Sequence, residues 1–194
     1  MAEPRLPDHR PEDLDADQRD LYDVFVSGPR QSQAQFFPVT GESGVLSGPY
    51  NAMLLSPGVG APLERLGRAV RYETRLPDRV RELVILTVAT LTESAVEWQA
   101  HEALALSVGV PEGTVSTLRT GAPSFSDETD ALVHAFVQQL LDRHEVEDST
   151  FAAVRTELGL PGVLELVATA GYYQVVAHVN NAFDLPFRED GAGS

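Results

Sequence analysis

No cysteine occurs anywhere in the 194 residues. That removes disulfides, thiolate metal sites and iron–sulfur clusters from this chain, together with any reaction that begins with a thiolate. Basic residues are scarce as well, 14 Lys and Arg against 29 Asp and Glu, for a formal net charge of −15. A surface so charged repels phosphate backbones and anionic membranes, so neither nucleic acid nor a membrane is expected as a partner. No run of about 18 apolar residues is present. The opening M-A-E-P-R-L-P-D-H lacks the basic-then-apolar layout of a secretory leader, and a cytoplasmic protein is expected. Also missing are a glycine-rich phosphate loop after a strand, a G-x-S-x-G elbow and an H-E-x-x-H pair.

What is present reads as helix throughout. At 43% hydrophobic and 22% charged residues the composition is that of a globular chain with one substantial core, so a single domain over 1–194 is expected. Residues 1–15, rich in Pro and Asp, read as an extended arm and 184–194 as a flexible tail. Helices are expected over 16–27, 61–72 with Pro62 in its first turn, 78–91, 95–108, 112–119, 127–143, 150–158 capped by Ser149, and 161–183. One or two helical turns fall at 50–55, broken by Pro57, and 28–47 reads as a loop with a short hairpin. No strand pattern competes, so the fold class is all-α. A long helix, a short one ending in G-V-P or G-L-P, and another helix recur in both halves, which fits packed helical hairpins with more apolar surface than one protomer covers.

The segment from Arg81 to Gly109 carries the candidate chemistry. Leu83 to Ala89 is apolar on nearly every face, so the charged Glu82 at its start needs a partner. Glu97 and His101, four apart, share one helix face. A carboxylate beside an imidazole favours its charged form and burial opposes this, so such a pair is suited to proton transfer. Spacing alone fits a solvated pair equally. In the last helix Tyr172, Tyr173, His178, Asn180 and Asn181 interrupt an apolar pattern; internal hydrogen bonding accounts for them, with His178 as second choice for a substrate-contacting or acid–base group.

The arrangement resembles the carboxymuconolactone decarboxylase and alkylhydroperoxidase-D-like family. Its motif is a Glu, a Cys-x-x-Cys after eleven intervening residues, and a His after three more. Here Glu82 and His101 match that Glu and His, while Ser94 and Glu97 stand in place of the two cysteines. R-E-L-V-I-L, E-W-Q-A-H and G-V-P-E-G-T-V-S-T-L carry the likeness most strongly, over residues 76–121, and G-Y-Y-Q-V-V-A-H-V-N-N-A-F carries it more weakly. The resemblance implies an all-α helical bundle of the alkylhydroperoxidase-D-like type with about seven to nine helices, assembled as a homo-oligomer, trimer or hexamer, with sites near subunit boundaries. It also implies that the N-terminal region contributes to the substrate pocket, which makes Tyr50, Asn51 and Met53 candidate lining residues beside Ser94 and Trp98; core packing explains Met53 as well.

Without a dithiol, the family's peroxidase route is closed to this chain. The expected chemistry is cofactor-independent acid–base catalysis, of decarboxylase, lyase or isomerase type, on a small organic acid, lactone or enolisable carbonyl compound. His101 would move the proton, Glu82 would orient its ring, and Glu97, kept protonated by burial, would donate to a developing enolate. No metal or cofactor is expected. The alternatives are a metal-assisted version of the same site, with Glu82, Glu97 and His101 as ligands, and a non-catalytic oligomeric ligand-binding protein. The long N-terminal portion argues against literal 4-carboxymuconolactone, because the family's dedicated decarboxylases are shorter.

Overall fold

Capping chemistry sets the first helix. Asp15 accepts the Gln18 backbone N–H at 2.9 Å while the Gln18 side chain accepts the Asp15 N–H at 3.1 Å, a reciprocal cap. In the computed structural model, which describes residues 4–186, helix α1 then runs Ala16–Ser27 and buries Leu21 and Phe25. Short α2, Pro49–Met53, leads into α3, Pro57–Tyr72. That helix starts before the expected Ala61: Pro57, which has no N–H to leave unsatisfied, opens it, and Pro62 lies in its interior.

Helices α4, Asp78–Leu91, and α5, Ala95–Ser107, follow the expected bounds closely. Gly109, at φ 93°, ends α5 in the left-handed region that glycine tolerates. Helix α6 spans Glu112–Arg119, and α7, Glu128–Arg143, is capped by the Asp127 carboxylate on the Asp130 N–H at 3.0 Å. The last element, α8, runs Asp148–Phe183 with a kink at Gly159, where φ 71° and ψ 170° leave the helical region. Its N-cap is Glu147, not the expected Ser149, and the two expected helices meet at this kink.

Helix α4 is the centre of the bundle. Leu83, Val84, Ile85, Leu86 and Val88 are fully buried, because α5, α6, α7 and α8 all pack around α4. Burying each such side chain contributes about 1.5–3 kcal/mol, which offsets the cost of placing Glu82 at the start of the same helix. A second cluster joins Leu21, Phe25, Val39, Leu46, Met53 and Leu54 beneath the 28–47 segment. That segment holds a 3-10 turn, Pro29–Gln33, and an isolated antiparallel bridge between Thr40 and Leu46; the described residues contain no strand.

The N-terminal residues lie on their own chain. Leu6 is buried, the Asn51 amide donates to the Pro7 carbonyl at 2.9 Å, and Arg5 reaches the Ala182 carbonyl at 3.1 Å. Most of the expected tail, residues 187–194, lies outside the described residues. No helix among the described residues is long and apolar enough to cross a membrane.

Candidate active site

Five elements contribute to one buried polar cluster. The first turns of α4 present Arg81 and Glu82, α5 presents Glu97 and His101 one turn apart, the end of α3 supplies Arg71, α8 supplies Tyr172, Tyr173 and Asn180, and the turn after α1 supplies Arg30. His101 Nδ1 lies 2.7 Å from Glu82 Oε2. On the other edge of the ring, Nε2 lies 3.8 Å from Glu97 Oε2. The imidazole therefore sits between two carboxyl groups, with Tyr173 set edge-on to it at 5.2 Å between centroids.

The two carboxyl groups are shifted in opposite directions. Burial alone would push the Glu82 carboxyl up. The charge of His101, its hydrogen bond, and the guanidiniums of Arg71 and Arg81, at 3.6 and 3.8 Å from Oε1, outweigh this and hold Glu82 below the usual carboxylate range. For Glu97 burial wins. Its shift is upward, only partly opposed by His101, by the 2.7 Å hydrogen bond from Asn180 Nδ2, and by Arg71 and Arg30. With Nδ1 against Glu82, Nε2 is the ring nitrogen on the side of Glu97.

That cavity measures about 40 Å³ and is walled by Arg30, Arg71, Glu97, His101, Tyr172 and Tyr173, with Phe36, Phe37, Tyr50 and Val176 among its apolar faces. Burial raises the Tyr172 phenol to about 12 and pushes Tyr173 up as well, so both hydroxyls stay protonated at neutral pH. Tyr173 accepts a hydrogen bond from Arg71 at 2.7 Å.

The residues singled out in the sequence fall in several places. Glu97, His101 and Tyr50 line the cavity, and Glu82 lies one layer behind His101. Ser94 is buried at the N-cap of α5 and Trp98 packs in the core under Arg119; neither lines the cavity. Asn51 is bound to Pro7 and His9, and Met53 belongs to the second apolar cluster. His178 is exposed and borders a shallow hollow with Thr92, Asp142 and Asn181. Sequence reasoning missed Arg30 and Arg71. Arg71 closes an apolar helical stripe, Leu63, Leu66 and Val70, where a charged residue signals a buried partner; Arg30 lies in a polar loop with no such signal.

A metal does not fit this arrangement. The oxygens of Glu82 point at His101 and at two guanidiniums, and among the described residues no group of three or more His, Asp or Glu is placed to hold an ion.

Comparison with known proteins agrees with the architecture. Residues 57–137 match the model of the carboxymuconolactone decarboxylase family. No curated protein matches the sequence. Among solved structures, an alkylhydroperoxidase core described as an uncharacterised peroxidase-related protein from Ralstonia eutropha superposes with a TM-score of 0.73 at 13% identity, covering 98% of this chain and 97% of the other. An uncharacterised peroxidase-related protein from Silicibacter gives a TM-score of 0.64 at 14% identity, covering 84% and 90%. At such identities the likeness is one of fold.

Proposed function

We propose that the chain, whose residues 57–137 match the carboxymuconolactone decarboxylase family model, is a cofactor-independent acid–base enzyme, of decarboxylase, lyase or isomerase type, acting on a small organic acid, lactone or enolisable carbonyl compound. One observation carries this reading: a single buried imidazole stands between two carboxyl groups, Glu82 on its buried edge, held low, and Glu97 on its cavity edge, pushed up by burial. Glu82 orients the ring and balances the imidazolium that forms when Nε2 takes a proton. Glu97 donates its O–H to the oxygen that gains charge in the enolate, and Asn180 holds that carboxyl group in place. Tyr172, Tyr173, Phe36 and Phe37 keep bulk water from the intermediate.

With no cysteine, the dithiol peroxide chemistry of the wider family is closed to this chain. A homo-oligomer, trimer or hexamer, belongs to the same proposal. It is supported by a stripe of exposed apolar residues on α8, Leu160, Leu164, Val167 and Val175.

The experiment is solvent-deuterium exchange followed by proton NMR over a panel of oxo acids, β-keto acids and unsaturated lactones, with carbon dioxide release read in parallel. The expected result is exchange or decarboxylation of at least one member by the wild type and none by His101→Gln. A panel untouched by the wild type, or turned over equally by both proteins, overturns the proposal and leaves a ligand-binding protein.

A further inference from the structure

At about 40 Å³ the cavity beside His101 is closed to the compounds its chemistry suits. One water molecule takes up about 30 Å³ of liquid and a site for a small organic ligand about 300 Å³ or more, so one wall has to move. Helices α3, α5 and α8 cannot supply that movement without breaking the buried cluster, in which Arg71 faces Glu82, Glu82 holds His101 and Asn180 holds Glu97. The wall left is the segment between α1 and α2, where Phe36 and Phe37, both half-buried, stand between the cavity and solvent.

That segment is anchored on both sides of the two rings. Before them, Arg30 is 7% exposed, hydrogen-bonded to the Tyr172 hydroxyl and 4.0 Å from buried Glu64. After them, Val39 and Leu46 are buried in the second apolar cluster, the Ser47 N–H donates to the Val39 carbonyl at 2.9 Å, and the Tyr22 hydroxyl donates to the Gly44 carbonyl at 2.9 Å. Between the anchors, residues 34–38 hold neither helix nor bridge, and among the described residues no hydrogen bond joins them to α5 or α8. Pro38 has no N–H to offer. Phe37 borders two voids at once: the cavity, and a hollow of about 20 Å³ bounded by Val45, Leu46, Gly48 and Val96. Its ring rests edge-on against Tyr50 at 5.7 Å between centroids, and its tip lies over Gly48, where a Cβ would touch it at 3.4 Å.

We propose that residues 34–38 are the lid of the site and Phe37 its moving leaf, which swings from the cavity toward the hollow beside Gly48 to admit a ligand to His101 and then closes over it. What enters, an organic acid or carbonyl compound, rests on the acid–base reading above; the lid itself rests on the walls and the anchors. The edge contact with Tyr50 is a weak one to break, and the fixed points on either side confine the motion to five residues. Moving the ring joins the two voids and bares the Nε2 edge of His101. Its return shuts water out while the proton is transferred.

Two measurements on the whole chain at neutral pH test the lid, both read residue by residue in the mass spectrometer: labelling by diethyl pyrocarbonate, which acylates accessible neutral imidazoles, and amide hydrogen exchange. In the wild type the exposed His178 should label fast and His101 slowly, and the amides of Gln35, Phe36 and Phe37 should exchange about tenfold or more faster than that of Ser47. Phe37→Ala should raise the His101 labelling rate about tenfold or more, with Phe37→Leu between, while His178 and the buried His134 keep theirs. Equal His101 rates in the wild type and both variants, or exchange at 35–37 as slow as at Ser47, overturns the lid. A rise at His134 as large as that at His101 would mean that the variant has lost its fold, and the wild-type exchange pattern then decides. A lid that opens as expected, without turnover of any compound in the panel above, sinks the acid–base reading alone. Turnover of the panel with His101 labelling indifferent to Phe37 sinks the lid alone.

Discussion

His101 Nδ1 and Glu82 Oε2 are 2.7 Å apart inside the protein, on the ring edge away from the cavity. Glu82 in turn faces Arg71 and Arg81, so the imidazole is tied to a carboxylate that two cations hold ionised. The two residues are thereby assigned different duties, and substitution separates them.

Glu82→Gln keeps the shape of the side chain but removes the buried carboxylate that Arg71 and Arg81 both face, although Arg81 keeps its 2.8 Å pair with Asp78. Removing one partner of a buried ionic group costs about 3–5 kcal/mol, so the midpoint of urea denaturation should fall markedly. His101→Gln breaks one hydrogen bond beside a cavity and should cost only about 1–2 kcal/mol while abolishing proton transfer. If the two variants were equally stable, the assignment of Glu82 as the anionic anchor of the cluster would be wrong.

Glu97 predicts an opposite pH dependence. A carboxyl group whose folded-state value is raised binds its proton more tightly in the native protein. Its contribution is therefore complete below the ordinary value of 4.5 and is lost as pH rises from there through the folded-state value. Glu82, held low, contributes above 4.5 and loses its contribution as pH falls through its own folded-state value. Glu97→Gln keeps the Asn180 contact available and removes the proton. Its stability should decline less steeply than that of the wild type from pH 5 upward, measured by denaturation at a series of pH values. Identical slopes would show that Glu97 is ionised in the native state, which would end its proposed role as donor.

Gly67 offers a third check. Adding one methyl group forces the Tyr172 phenol and the Arg30 guanidinium to move, and overpacking of this kind costs about 1–3 kcal/mol. Gly67→Ala should lower thermal stability, read as the midpoint of thermal unfolding. Gly113, whose added Cβ meets nothing, serves as the control, and Gly113→Ala should not lower that midpoint; an equal fall in both variants would show that the crowding at Gly67 costs nothing of its own.

Local rules made most of the fold legible. Gly109 and Gly121 each act within a few residues of themselves, so the ends of α5 and α6 could be read from them. The unbroken apolar run of α4 foretold its central place, and Glu82 at its head foretold a buried partner. The spacing of Glu97 and His101 put both on one face, but spacing says nothing about what faces them. Arg71 and Arg30 reach the cavity from elements distant in sequence, and such long-range placement leaves no local pattern. The start of α3 was misplaced for a related reason: Pro57 can end one helix or open the next, and the neighbouring residues do not decide between them. Asn51 and Met53 share short α2 with Tyr50, yet only Tyr50 borders the cavity, because successive helical residues point about 100° apart.

The outer face of α8 carries the last prediction. Leu160, Leu164, Val167 and Val175 are 55, 68, 38 and 42% exposed and recur at helical spacing. A net charge of −15 opposes self-association through the rest of the surface, so an apolar stripe is the feature able to hold copies together. Leu164, the most exposed of the four, contributes almost nothing to the fold of its own protomer. Leu164→Glu should therefore keep its helical content by circular dichroism while sedimentation velocity reports conversion to a single-chain species. A wild type that sediments as one chain across the micromolar range, or an unchanged assembly in Leu164→Glu, would show that this face does not join subunits.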